Sequence, residues 1–323
     1  MLSNELRLAI IASAGVMCGI AAAQEPTKPT QPEEPAKPAV DAPKPDAVPP
    51  PRQVEWIVKV PAQLGFSAGL ENKPGAVSVS RVGLDLEVDI PVGPMGELDL
   101  GFAYERSRYD FSSTTSLIAG TTSPFQDINK ETFRASFGKQ QTRQLGWLVG
   151  GSVGFAAEDG GELGKAVVGG VYGGVGYYLS EHLKVGAALA VYSQLGKNPL
   201  ILPVPTFNWE ISDQWRLSTA GKPGLTLFYK PVEDWTLSLG AWYESRDFRL
   251  DKTGPVPGGI GRDSAVPVLL NAVFKPTKNF SIEAGVGVRL LQNISVDDSS
   301  GNGLVDANVN PAAFVSLQAT FTF

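Results

Sequence analysis

The stretch AFVSLQATFTF, residues 313–323, alternates apolar side chains with polar or small ones and ends on an aromatic residue. Ala313, Val315, Leu317, Phe321 and Phe323 fall on one face, and Ser, Gln and Thr side chains occupy most of the other. Side chains alternate with a period of two along a β-strand. Since about ten tilted residues cross a bilayer, the segment predicts a membrane strand with one face toward lipid and one toward a lumen.

The same alternation marks the hairpin of residues 81–105. Val82–Ile90 reads VGLDLEVDI, in which every second residue is apolar and the residues between are Gly, Asp or Glu. The pattern recurs at Glu97–Tyr109, Leu145–Phe155, Val167–Leu179, Leu183–Val191, Leu225–Tyr229, Trp235–Tyr243 and Phe280–Leu290. Tight polar turns alternate with mostly longer links, such as Ser112–Phe125 and Asp297–Asn308. Short periplasmic turns and longer outer loops are typical of membrane barrels.

The sequence therefore predicts an all-β fold, a transmembrane antiparallel up-and-down β-barrel of about 14 strands. The weakest predicted strands are Trp215–Thr219 and Leu200–Ile211, the latter because Pro203 and Pro205 lack ladder donors. If this region pairs differently, the alternative is a barrel of about 12 strands. Beyond residue 23 no apolar run reaches the length of a membrane helix, and only helices and closed barrels satisfy every backbone group in lipid.

The amino-terminal part divides into two segments ahead of the barrel. Residues 1–23 are predicted to be a signal peptide, because a short apolar stretch follows Arg7 and ends in an A-x-A cleavage site before Gln24. Residues 24–53 hold ten of the 25 prolines and no aromatic residue, which predicts a disordered Pro-rich periplasmic linker. Residues 54–323 are the predicted barrel. The one cysteine, Cys18, lies in the signal peptide, so the mature chain is expected to have no disulfide.

Two segments carry a resemblance to known proteins. Residues 83–111 and 225–251 each form an alternating hairpin that ends in an aromatic residue followed by Glu, Ser and Arg: YERSRYD at 104–110 and YESRDF at 243–248. They resemble an uncharacterised family of bacterial outer-membrane β-barrel proteins. The resemblance implies the barrel fold and the cell outer membrane as the location. It also implies that Phe321 and Phe323, at the end of the closing strand, are the signal that the barrel-assembly machinery reads.

Charged residues are expected to line the lumen. On the period-two pattern, one wall carries the acidic residues Asp85, Glu87, Asp89, Glu97, Asp99 and Glu105. Arg134 and Arg289, on other strands, are also predicted to point inward. Carboxylates so close together raise one another's pKa, so either bases reach across to them or water fills the space. The candidate lumen and selectivity residues are therefore Asp85, Glu87, Asp89, Asp99, Glu105, Arg134 and Arg289.

Nothing in the sequence indicates an enzyme, a cofactor or a metal site. The one histidine, His182, lies in a predicted periplasmic turn, away from outer-leaflet lipid and extracellular substrate. No G-x-S-x-G elbow or phosphate-binding loop is present. Asp298, Ser300 and Asn302 resemble the start of a calcium loop, but Val309 stands where a bidentate Glu is needed. The chain is acidic, with a formal net charge of −6, and has no basic stripe for nucleic acid.

Two functions stay open at this point. The first is a pore or transporter for small solutes with an acidic lumen wall, since about 14 strands enclose more room than side chains usually fill. The alternative is a structural or binding barrel with a filled lumen, which anchors the envelope through its Pro-rich tether or outer loops. The expected partners are outer-membrane lipid, the barrel-assembly machinery and, for the tether, a periplasmic or cell-wall component.

Overall fold

A computed structural model describes residues 53–114, 117–118, 121–219 and 224–323. The predicted signal peptide and nearly all of the predicted linker lie outside these residues. Within them the chain is almost entirely β-structure, and the single short 3-10 helix is Leu163–Lys165. None of the described helices is long and apolar enough to cross a membrane.

The described strands form one antiparallel sheet that closes on itself. They are β1 (Glu55–Gly65), β2 (Ala68–Gly69), β3 (Ala76–Val92), β4 (Gly96–Ser112), β5 (Asp127–Gln140), β6 (Leu145–Glu158), β7 (Val167–Ser180), β8 (Leu183–Gln194), β9 (Lys197–Glu210), β10 (Trp215–Ser218), β11 (Gly224–Val232), β12 (Trp235–Trp242), β13 (Glu244–Arg249), β14 (Ile260–Thr277), β15 (Phe280–Asp297), β16 (Gly303–Val309) and β17 (Ala312–Thr322).

The barrel closes where the predicted membrane strand β17 pairs with β1 on one side and with β15 on the other. Three positions in the wall are each built from two strands in line: β1 with β2, β12 with β13, and β16 with β17. The 17 strands of the described chain therefore occupy 14 positions. The prediction of 14 strands is confirmed, and β9 and β10 occupy separate positions despite the prolines.

The connections place one end of the barrel in the periplasm. Turns of two to four residues join the strands at that end, for example at 93–95, 181–182 and 278–279. Most links at the other end are longer, such as 113–126 and 250–259, which is the outer-loop pattern of membrane barrels. The outer link from Leu195 to Gly196 is an exception, and Gly196 supplies its left-handed position with a φ of 66°.

One predicted outer loop contains a strand. The prediction of a link over residues 297–308 is wrong in part, because β16 occupies Gly303–Val309 and pairs with β15. Val305, Ala307 and Val309 alternate toward the interior and are buried, which the glycine and asparagine content of the segment obscured. The true loop is 298–302. Asn302 and backbone groups donate hydrogen bonds to the Asp298 carboxylate and lower its pKa.

The outward face of the wall has the layers of a membrane barrel. A band of exposed apolar side chains surrounds it, with Val171, Val175, Leu189, Ile201, Leu239, Leu270, Val286 and Leu317 among its members. Aromatic residues lie below this band, near the periplasmic turns: Trp56, Tyr177, Trp209, Trp215, Trp235 and Phe321. An apolar band with an aromatic girdle matches a lipid environment.

The outer part of the wall bends inward along one line. Neighbouring strands are interrupted there at Phe66–Ser67, Tyr243 and Asn310–Pro311. The β14–β15 ladder has a bulge at the same level, where Leu291 takes an unusual φ of 50°. Beyond this line lie β2, β13, residues 260–264 of β14, residues 292–297 of β15, and β16, which we call the cap.

The cap crosses the lumen and packs against the facing wall. Arg249 of β13 pairs in parallel with Ala157 of β6 on the other side of the barrel. Between the two walls lies the main apolar core, in which Phe125 contacts Phe248 with ring centroids 4.9 Å apart. Phe248 is completely buried. Since this core sits at the outer end, the outer mouth of the barrel is filled by side chains.

Candidate lumen site

The two similar sequence segments face each other across the lumen. Glu105 of β4 accepts hydrogen bonds from Arg246 of β13, with the Nε to Oε1 distance at 2.9 Å. Arg246 Nη1 also lies 3.1 Å from Glu244 Oε1. Immediately outside this ion pair, Tyr109 packs on Phe248 with ring centroids 6.0 Å apart. Each segment therefore presents a carboxylate and an aromatic ring to the lumen at matching heights.

Asp263 is the centre of a buried polar cluster beside these pairs. Arg81 Nη2 donates to Asp263 Oδ2 at 2.8 Å, and Tyr109 Oη donates to the same oxygen at 2.9 Å. Gln292 Nε2 donates to Asp263 Oδ1 at 2.9 Å. Asp263 and Arg81 are 2% and 6% exposed. These donors come from β3, β4 and β15, so one carboxylate of β14 joins both walls below the apolar core.

We call Arg81, Glu105, Glu244, Arg246 and Asp263 the ionic layer. Arg289 lies next to it but contacts no carboxylate in a described salt bridge. Its Nη2 donates to Gln63 Oε1, and its guanidinium lies 5.1 Å from the centre of the Phe314 ring. The sequence predicted Glu105 and Arg289 as lumen residues but gave no sign that Asp263 would meet Arg81.

The predicted acidic wall is partly neutralised by bases. Arg134 Nη2 donates to Asp85 Oδ1 at 2.6 Å and to Glu87 Oε1 at 2.9 Å. Lys59 of β1 approaches Glu87 from the other side. All four side chains are partly exposed within the lumen. The structure thus brings Asp85, Glu87 and Arg134 together in one network, which the sequence left as a choice between pairing and hydration.

A second group of carboxylates lies nearer the periplasmic end. Oxygen atoms of Asp89, Glu97 and Asp99 lie within 4.8 Å of one another, close enough for one cation to contact all three. Ser136 Oγ donates to Asp99 Oδ2 at 2.7 Å. Apart from Glu105, which belongs to the ionic layer, the acidic residues of the predicted wall therefore form two sets: Asp85 with Glu87, and Asp89 with Glu97 and Asp99.

A cavity of about 650 Å³ lies inside the lumen on the periplasmic side of the ionic layer. The ionic layer forms part of its lining through Arg81, Glu105 and Arg246, and Asp85 and Arg134 line it further down. Another part of its lining is apolar or aromatic: Val168, Leu200, Leu202, Trp242, Tyr243 and Leu269. The cavity volume falls in the range of small-molecule sites.

The remaining sequence candidates lie away from this cavity. His182 is exposed in the β7–β8 turn, with Nδ1 3.6 Å from Glu210 Oε2. Asp298 closes its own turn with Asn302, and Asp306 accepts from Asn293 Nδ2 on the neighbouring strand. These contacts give the calcium-like residues a role in the outer hairpin.

Comparison with known proteins adds similarity of fold. No protein-family model matches the chain, and no curated protein is significantly similar. Among solved structures, an outer-membrane channel from Pseudomonas putida F1 has a TM-score of 0.46 at 13% identity, over 84% of this chain and 95% of that one. The Pseudomonas putida toluene transporter TodX has a TM-score of 0.43 at 10% identity, over 84% and 91%. The KdgM porin has a TM-score of 0.35 at 10% identity, over 82% and 99%.

The closed strand order, the apolar band and the aromatic girdle identify the architecture. The chain is an outer-membrane β-barrel. Its outward face contacts lipid, and its lumen holds the ionic layer, the cavity and the two acidic sets.

Proposed function

We propose that this barrel transports small solutes across the outer membrane through its lumen cavity. The observation that carries the proposal is the cavity of about 650 Å³, which is lined by side chains from most positions of the wall. A barrel that serves only as an anchor needs no such space, because inward side chains can fill it. The mixed lining, charged on one part and apolar on another, suits solutes with limited polarity.

The two acidic sets affect which charge a solute can carry when it leaves the cavity. Asp85 and Glu87 are balanced by Arg134 and Lys59, so this network adds little net charge. Asp89, Glu97 and Asp99 lie closer to the periplasmic turns and give that end a negative potential. We therefore place the cation preference expected of an acidic lumen at the periplasmic end of the route.

The alternative, a structural or binding barrel, has one observation in its favour. The outer mouth is filled by the apolar core, and the ionic layer lies directly beneath it. Under this alternative the cap is a permanent lid and the outer loops or the Pro-rich tether bind a partner. Barrel-assembly machinery and a cell-wall partner for the tether remain part of both hypotheses.

Conductance in planar bilayers separates the two functions. Wild type should conduct weakly, and Asp263→Ala should conduct more, because Arg81, Tyr109 and Gln292 lose the acceptor that joins the two walls. Asp110→Ala, which removes an exposed pair with Arg108 on the outer surface, is the matched control and should behave as wild type. Heat-modifiable migration would show that each variant is folded. A folded Asp263→Ala barrel that neither conducts nor takes up solute into liposomes would favour the binding barrel.

A further inference from the structure

In the part of the chain that the structure describes, the wall of the barrel has a gap beside the outer part of β9. Residues 208–210 of β9 pair with β10, and Phe207 exchanges hydrogen bonds with Thr219. Residues 197–206 continue toward the outside, and among the described residues no strand pairs with them on that side. At about 3.3 Å per residue, this unpaired edge is roughly 30 Å long.

The gap follows from a short hairpin and from the bend of the cap. β10 has only four residues and ends low on the wall, so no described strand pairs with the outer part of β9 on that side. β13, which would continue the wall above β12, crosses the lumen toward β6. The short β10–β11 hairpin forms the lower edge, since its described ends are Thr219 and Gly224. At the top, Leu195 contacts the back of the cap: its N donates to Asp247 and its O accepts from Arg262. We call this opening the window.

Prolines adapt β9 to an open edge. The N–H of Phe207 points to β10 and that of Glu210 to β8, so odd residues of β9 direct their N–H groups to the open side. Pro199, Pro203 and Pro205 are all odd. An unpaired donor facing lipid is costly, and proline has none. The prolines that weakened the strand prediction thus lie where a missing donor is tolerated best.

The window lies between apolar side chains on both faces. Ile201 and Leu225, on its two sides, are 62% and 44% exposed toward lipid. Inside, Leu200 and Leu202 of β9 and Trp242 and Tyr243 beside β13 line the cavity. Among the described residues, β10 and β11 contribute nothing to that lining, whereas Leu200 and Leu202 of the open edge do.

We infer that the window is the opening through which small uncharged apolar solutes pass between the outer leaflet and the lumen cavity. The inference rests on the proposed transport function and names its substrate class. A charged solute would have to give up its hydration as it passes the apolar edge of β9, from Ile201 outside to Leu200 inside, whereas an apolar solute would not. The aromatic face of Trp242 gives such a solute a surface to pack against. Transport then proceeds with the outer mouth closed by the cap.

The test measures uptake of uncharged N-phenylnaphthylamine into Gram-negative cells that express the full chain, with cells carrying the empty vector as reference. Leu200→Trp places an indole inside the window and should abolish the protein-dependent uptake. Leu189→Trp adds the same ring to the lipid-facing side of the neighbouring strand β8, away from the window, and should leave uptake unchanged. The anionic analogue anilinonaphthalene sulfonate should gain no uptake from wild type.

A second arm locks the mouth. Ala157 and Arg249 are direct bridge partners, so their Cα atoms lie roughly 5 Å apart, within the range of a disulfide. The Ala157→Cys, Arg249→Cys pair should keep N-phenylnaphthylamine uptake when oxidised, with Arg249→Cys alone as control. Uptake lost on oxidation and restored by reductant would place the route in the mouth and overturn the window. Equal effects of Leu200→Trp and Leu189→Trp would also overturn it. Wild-type uptake equal to the vector would also overturn the window, and the transport function itself would be rejected only if the folded Asp263→Ala barrel neither conducts nor takes up solute.

Discussion

Glu105 Oε1 accepts a hydrogen bond from Arg246 Nε at 2.9 Å, although the two residues lie on facing walls of the barrel. They belong to the two segments of similar sequence, 104–110 and 243–248. The similarity therefore has a structural basis, because each segment contributes charged residues to the ionic layer and an aromatic residue to the core that fills the outer mouth. The ion pair and the Tyr109–Phe248 contact hold the cap across the lumen.

The first prediction concerns the energy of this pair. In a double-mutant cycle with Glu105→Gln and Arg246→Gln, the coupling free energy should fall in the range of about 0.5–3 kcal/mol found for contacting residues in one network. Each single change leaves its partner poorly compensated inside the lumen, while the double change removes both charges. Unfolding by urea in lipid vesicles measures the free energies.

The exposed pair of Arg108 and Asp110, with a 3.1 Å contact, is the control for this cycle. Both side chains are more than half exposed, so water screens their interaction and the coupling should be close to zero. Equal coupling in the two cycles would show that the Glu105–Arg246 pair does not hold the cap.

The second prediction concerns barrel closure. Phe321 packs on Phe280 with ring centroids 5.1 Å apart, and Phe323 exchanges backbone hydrogen bonds with Trp56. Replacing Phe321 and Phe323 with Ser keeps those backbone bonds but removes two aromatic groups from the lipid face, at about 1.5–3 kcal/mol for each buried side chain. The heat-modifiable fraction in the outer membrane should therefore fall.

Thr320→Ser and Thr322→Ser, on the other face of the same strand, are the matched control and should leave that fraction unchanged. Export should be intact in both variants. An undiminished folded fraction after loss of both phenylalanines would contradict the role of these residues in assembly.

The strand order, and which side chains alternate between the two faces of each strand, were predictable from the sequence. The cap was not. Period-two alternation distinguishes inward from outward residues, so it predicts that Asp85, Glu87 and Arg134 point inward, and in the structure the three side chains form one network. It carries no information on which wall an inward side chain meets. The cap depends on interruptions at Tyr243 and Leu291, and neither residue is a usual marker of a bend.

Some signals for the cap were nevertheless present in the chain. Tyr109 and Phe248 are inward aromatic residues beyond the expected lipid band, and large rings at such positions need a partner. The prolines of β9 indicated an edge strand, which in a closed barrel requires that the neighbouring strand is too short to cover it. Taken together, these features predict a filled mouth and a gap. Taken separately, each resembles ordinary irregularity.

The third prediction concerns the Pro-rich segment. Deleting residues 25–50 should leave the folded fraction of the barrel and its unfolding free energy unchanged, because this composition has too little apolar surface to pack. Heat-modifiable migration and urea unfolding of the deleted and full chains provide the comparison. A loss of folding would mean that the segment enters the lumen, and a change limited to cell-wall association would support the tether hypothesis.

The fourth prediction concerns ion selectivity. Asp85→Asn, Glu87→Gln and Asp99→Asn together remove three carboxylates and leave the Arg134 guanidinium without its two partners. In the Asp263→Ala background, which opens the mouth, the reversal potential in a salt gradient should move from cation toward anion preference. Arg134→Gln in the same background should move it in the opposite direction. Both shifts should shrink as the Debye length falls from ~10 Å at 0.1 M to ~3 Å at 1 M salt. Conductance with an unchanged reversal potential in both variants would mean that ions bypass this network, and the selectivity role of these residues would be wrong.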